Sequence, residues 1–179
     1  MSLSRVSMLG MVTVLAGSTI AFSHTGRGHR STAACDAAEF RQFDFWLGDW
    51  DVFDMDAPSK PVARNKVTLA LGNCVVREVY EQSDGLSGES FSIYDSSRRL
   101  WHQTWVTNRG TLLMLDGKLE GDRIVLGGNE KGNDGSVSEI RATWYVEDHG
   151  VREIAERTTD GGKSWKPLFD IMFRPHKGE

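Results

Sequence analysis

From residue 50 to residue 174 the chain alternates short extended stretches with turn residues and leaves no interval for a sizeable helix. Stretches rich in β-branched and aromatic residues fall at 50–54, 62–71, 74–82, 89–94, 100–107, 111–116, 123–127, 137–147, 151–159 and 165–174. Connectors such as Gly72-Asn73, Asn108-Arg109-Gly110 and Asp148-His149-Gly150 are short enough to make each junction a hairpin. Hairpin after hairpin is an up-and-down antiparallel sheet. About ten strands with no helices to cover their edges close most simply on themselves. The expected fold is therefore an all-β, up-and-down antiparallel β-barrel of about ten strands.

Two hairpins reveal which side chains face inward. A two-residue turn at Gly72-Asn73 sets Leu71 opposite Cys74, Leu69 opposite Val76, Val67 opposite Glu78 and Asn65 opposite Tyr80. The other face pairs Thr68 with Arg77 and Arg64 with Glu81 and is the solvated one. A turn at Asp148-His149 likewise sets Val146 opposite Val151, Trp144 opposite Glu153 and Ala142 opposite Ala155, with Arg141 and Glu156 outside. Glu78 and Glu153 then point into the barrel, and a slip of one residue would reverse both.

The 179 residues, 39% hydrophobic and 26% charged, suit one domain with an ordinary core. Residues 1–23 read as a cleaved signal peptide: Arg5 opens it, an apolar run follows, and Ala21-Phe22-Ser23 offers a cleavage site. The rival reading, a membrane anchor, is weakened by Ser7, Gly10, Thr13, Gly17 and Ser18 within the run. The formal charge of -4 becomes -5 once the single positive charge of Arg5 leaves with residues 1–23. A mildly acidic chain lacks the basic surface that nucleic acid requires, so nucleic acid is excluded as an expected partner.

Residues 24–34 read as a flexible linker, 35–175 as the barrel domain and 176–179 as a tail. Phe40, Phe43 and Trp46, spaced by three, indicate a short N-terminal helix over 36–47, capped by Asp36 and lying across the barrel mouth. Cys35 and Cys74 are the two cysteines. Behind an export signal they meet an oxidising compartment, which predicts a disulfide between them and a secreted or periplasmic protein with no membrane span in its mature form. A lipid-anchored Cys35 is the alternative. It lacks a leucine at position 32 and is separated from the apolar run by Arg27 and Arg30.

Three segments carry a family resemblance: Phe43-Asp44-Phe45-Trp46-Leu47-Gly48-Asp49-Trp50-Asp51-Val52, Trp101-His102-Gln103-Thr104-Trp105-Val106, and Asp160-Gly161-Gly162-Lys163-Ser164-Trp165. Through them the chain resembles the DUF1579-type bacterial proteins of the calycin (lipocalin-like) superfamily, over residues 35–174. The resemblance implies a barrel but no particular activity. It implies that Gly48 bends the chain into the first strand, that Trp50 plugs the closed end, and that Arg174 lies over Trp50 as a basic lid.

Candidate site residues come from sidedness and residue type. Trp101, Gln103 and Trp105 share one face of a strand, a mixture of flat apolar surfaces and an amide that suits either a ligand pocket or an ordinary core. Glu78, inward with Tyr80, marks either a polar cavity or a buried hydrogen-bond network, and Glu153, opposite Trp144, has the same two readings. No catalytic residue is assigned, although Glu78 and Glu153 across one cavity suit general acid–base chemistry. The histidines lack ligand spacing and the acidic run 49–56 lacks a calcium loop's glycine turn, so no metal or other cofactor is expected. Thr158-x-Asp160-x-Gly162-x-x-Trp165 matches the Asp-box hairpin of sialidases, a folding device. The expected function is binding of a small hydrophobic or amphiphilic ligand inside the barrel. The rival classes are an enzyme using Glu78 and Glu153, and an envelope protein acting through its outer surface.

Overall fold

Each of the ten extended stretches forms a strand, and neighbours in sequence are neighbours in the sheet. The computed structural model describes residues 35–132 and 134–178. Its strands are β1 Gly48–Asp54, β2 Ala63–Ala70, β3 Val75–Gln82, β4 Ser87–Asp95 and β5 Leu100–Thr107. They continue with β6 Leu112–Glu120, β7 Arg123–Lys131, β8 Val137–Glu147, β9 Gly150–Thr158 and β10 Lys166–Pro175. All pairings are antiparallel, and β1 pairs with both β2 and β10, so the barrel closes without a free edge. The signal peptide expected at 1–23 and the linker at 24–34 lie outside the described residues. Among the described residues, no helix is long and apolar enough to cross a membrane.

β6 and β7 run past their expected ends at 116 and 127, because Gly117, Gly127 and Gly128 are paired within the ladder instead of ending it. The strands approach closely there: a Cβ on Gly117 would lie 2.0 Å from the Val125 carbonyl oxygen.

Both hairpins have the inferred register. Val67 opposes Glu78, Asn65 opposes Tyr80, and Trp144 opposes Glu153. Asp148 and His149 both take positive φ, 45° and 61°, the geometry of the two-residue turn that matches strand twist. The β2–β3 junction differs in detail. The ladder stops at Ala70 and Val75, so Leu71 and Cys74 belong to the turn, and Leu71 is exposed instead of facing inward. Parity along β2 and β3 is unaffected. Outward-facing charges pair across strands, as in Arg77 with Glu89 at 2.7 Å and Arg141 with Glu156 at 2.7 Å.

One end of the barrel is filled by the segment before β1. The single helix expected over 36–47 is two 3-10 turns, Ala38–Arg41 and Asp44–Trp46. The three-residue spacing of Phe40, Phe43 and Trp46 matches the 3-10 period better than the α-helical one. Ala37, not Asp36, occupies the N-cap of the first turn, without a side-chain capping bond. Phe43 stacks on Trp46 with ring centroids 5.1 Å apart and meets Trp101 at 5.5 Å and Trp144 at 5.4 Å. The turns thus insert a plug into the barrel. The Cys35–Cys74 disulfide, with Cα atoms 5.0 Å apart, and an Arg41 hydrogen bond to the Asn73 carbonyl tie this plug to the β2–β3 turn.

Arg174 does not cover Trp50. It opposes Asp51 in the β1–β10 ladder, is exposed, and places its guanidinium 4.6 Å from the Phe53 ring centroid. Directly opposed residues share a face of a sheet and successive residues alternate, so Arg174 lies outside with Asp51 and Phe53 while Trp50 and Val52 point in. The basic lid implied by the family resemblance is therefore absent, and the Trp50 indole N–H donates instead to the Trp46 carbonyl at 3.0 Å.

Candidate functional site

Beyond the plug the barrel is hollow. A cavity of about 400 Å³ runs toward the opposite end, where Asp54, Val62, Leu86, Leu168 and Phe169 form its rim. Its walls are mainly Leu113, Leu115, Ile140, Ala142, Ala155, Ile171 and Phe173, the inward positions of β6, β8, β9 and β10. Among these apolar surfaces sit Glu78, Tyr80 and Gln82 from β3, Gln103 and Trp105 from β5, Trp144 from β8 and Glu153 from β9. Apolar walls with a few placed polar groups are the ordinary make-up of a small-molecule site.

Of the expected site residues, Glu78, Tyr80, Gln103, Trp105, Trp144 and Glu153 come together on this cavity. Trp101 does not. Four residues of extended strand separate it from Trp105 by about 13 Å, enough to carry it to the plugged end. There it packs against Phe43 and Tyr94 and donates its indole N–H to Gln42 Oε1 at 3.0 Å.

The position of Trp105 depends on Gly88. A Cβ at Gly88 would lie 2.5 Å from the Trp105 ring, so this glycine clears the space in which the indole lies. Tyr80, directly opposite Gly88 in the ladder, meets the same ring edge-on at 6.0 Å. Its hydroxyl donates to Gln82 Oε1 at 3.1 Å.

The two interior carboxyls have different surroundings. Glu78 accepts a hydrogen bond from Asn65 Nδ2 at 3.0 Å on one oxygen and from Ser90 Oγ at 2.7 Å on the other. Burial pushes its pKa up to about 7, with the Ser90 and Asn65 bonds pulling the other way. Glu153 is only 9% exposed, and its carboxyl oxygens accept no hydrogen bond of ordinary geometry among the described residues. Burial first, and the charge of Glu78 second, hold Glu153 well above the usual carboxylate range, with the Trp144 indole pulling the other way. Trp144 Nε1 itself is buried without a hydrogen bond of ordinary geometry. Burial and the two glutamates keep the Tyr80 hydroxyl protonated far above its ordinary range.

Ser90 and Ser92 are polar interior residues that sequence reasoning did not single out. They are fully buried beneath the cavity, Ser90 bound to Glu78 and Ser92 accepting from Gln103 Nε2 at 3.1 Å. The signal for them is the Asp84-Gly85 turn. With Gln82 bonded to the Leu86 carbonyl across it at 2.8 Å, Ser90 falls opposite Glu78.

The remaining motifs lie away from the cavity. His102 Nδ1 contacts Asp116 at 2.7 Å on the outer face, and no group of His, Cys, Asp and Glu that could hold a metal ion occurs among the described residues. Thr158 donates to Asp160 at 2.7 Å, and Asp160 accepts from the Ser164 amide at 3.0 Å, with Gly161 and Gly162 at φ 70° and 82°. This Asp-box loop orders the β9–β10 connection. Neither the available protein-family models nor curated proteins match the chain.

Proposed function

We propose that this protein is an exported, lipocalin-like barrel of the DUF1579 type that binds a small, partly apolar ligand in its interior. The observation that carries the reading is the cavity of about 400 Å³, apolar on most sides yet enclosing a buried carboxyl, Glu153, that has no ion pair among the described residues and whose one polar neighbour is the Trp144 indole. A packed core has no use for such a group, because burying an unpaired polar atom is costly. The plugged end, the interior cavity and the Gly48-x-Trp50 entry into β1 support the calycin-like assignment. The Cys35–Cys74 disulfide supports an oxidising compartment. Native mass spectrometry of the purified protein tests the binding reading. A co-purifying small molecule released on denaturation is the expected result, and a barrel empty under all conditions, with no compound altering its tryptophan emission, would end it.

A second reading is favoured by one specific observation. Glu78 and Glu153 share the cavity, and the charge of one raises the pKa of the other. Coupled carboxyls of this kind supply a protonated acid and an ionisable base near neutral pH, as hydrolytic and isomerising enzymes require. Turnover of a bound compound that disappears in both Glu78→Gln and Glu153→Gln would establish this reading over simple binding.

A further inference from the structure

The chemical character of the cavity narrows what it takes, given the binding reading above. Among the described residues, three carboxyl side chains line it, Glu78, Glu153 and, at the rim, Asp54, and no lysine, arginine or histidine does. An anionic ligand such as a fatty acid would meet three carboxyl groups and no cationic side chain among the described residues. A cation would find its counter-charge in the same groups. Glu153 is nine-tenths buried, faces the cavity and has neither an ion pair nor a well-formed hydrogen bond among the described residues. Trp105, Trp144 and Tyr80 add aromatic faces of the kind that attract ammonium groups. We propose that the cavity binds an organic cation, a small amine or quaternary ammonium compound with an apolar portion, with the Glu153 carboxylate as its counter-ion.

The arrangement makes binding proton-linked. Facing Glu153 are Glu78 and Tyr80 across the cavity on β3 and Asp54 on β1 at the mouth. The flanking strands β8 and β10 present Trp144 and Ile171 to it, and β5 and β6 add no titratable group to the wall. In the empty barrel burial first, and the charge of Glu78 second, favour the protonated form of Glu153. A bound cation favours the carboxylate, so the proton leaves to solvent as the ligand enters, and affinity rises with pH. Tyr80 stays neutral throughout and, with its hydroxyl donating to Gln82, offers the ligand the face of its ring.

Three compounds of equal chain length decide the matter by quenching of tryptophan fluorescence: hexyltrimethylammonium, hexanol and hexanoate. At about pH 8 the cation is expected to bind most tightly and hexanoate least. Its affinity should rise by roughly tenfold per pH unit while one linked proton is being released, and hexanol affinity should stay level. Glu153→Gln should lower the ratio of cation to hexanol affinity by about tenfold or more. The pH profile of the unaltered protein gives the answer even if that variant fails to fold. Saturable hexanol binding with no preference for the cation, or tightest binding of hexanoate, overturns the cation assignment and leaves the binding reading standing. No saturable quenching by any of the three overturns both.

Discussion

Trp50 donates its indole N–H to the Trp46 carbonyl at 3.0 Å and lies so close to Gly48 that a Cβ there would stand 2.6 Å from its ring. The three residues thus form one unit. The glycine admits the ring, the ring holds the last carbonyl of the second 3-10 turn, and that turn seats Trp46 in the core. Trp50→Ala should destabilise by about 3–5 kcal/mol, the range for large aromatic truncations. Gly48→Ala should also destabilise, because the displaced ring is confined and cannot swing clear. Arg174→Ala, on the outside, should stay within about 0.5 kcal/mol of the parent. Urea melts of the three variants check the order, and an Arg174 effect as large as that of Trp50 would contradict it.

The Cys35–Cys74 bridge spans 39 positions and ties the plug to the β2–β3 turn. Cys35→Ser with Cys74→Ser should cost about 3–4 kcal/mol on the loop-entropy model. The loss should centre on the plugged end. Hydrogen exchange should speed up around Phe43 and Trp46 more than around Ile140 or Ala155, and a uniform increase would show that the bridge stabilises the barrel as a whole.

Glu78 sets a pH dependence of stability. Its folded pKa of about 7 lies above the ordinary 4.5, so between these values the native protein holds a proton that the unfolded chain has released. Stability contributed by this group is therefore full below the ordinary value and falls as pH rises, by about 3 kcal/mol once pH exceeds the folded pKa. Unfolding free energies measured on both sides of this window should show the decline, and Glu78→Gln should reduce it, leaving the part that comes from Glu153. Glu78→Leu should be worse than Glu78→Gln by about 1–3 kcal/mol, because Asn65 and Ser90 lose their buried partner.

What the sequence revealed was set by local signals. Period-two patterning and turn residues located every strand, and the Asp148-His149 turn alone was enough to place Trp144 against Glu153. Glycines within strands misled, because Gly117, Gly127 and Gly128 signal turns by composition yet serve close strand approach. Depth along the barrel was illegible. Strand parity states that Trp101 and Trp105 face inward but not that one meets the plug and the other the cavity. The Arg174 contact was missed for a related reason, since it depends on the β1–β10 pairing, which closes the barrel between strands at the two ends of the chain and leaves no turn from which to count register.

That difference in depth gives the last prediction. Trp105 lines the cavity between Gly88 and Tyr80, whereas Trp101 is sealed against Phe43 and bonded to Gln42. Both face inward from the same strand, so a test comparing them isolates position. Trp105→Phe should lower the fluorescence change on ligand binding, leaving the part that Trp144 reports, and weaken binding several-fold, since a smaller and weaker aromatic face replaces the indole. It should leave stability nearly unchanged, because Trp105 is only partly buried. Trp101→Phe should do the opposite, lowering stability through a thinner plug and an unpaired Gln42 while leaving the affinity of the folded protein intact. Paired titrations and melts measure both quantities. If Trp101→Phe weakens binding as much as Trp105→Phe at equal stability, the ligand reaches the plug and the cavity extends through it.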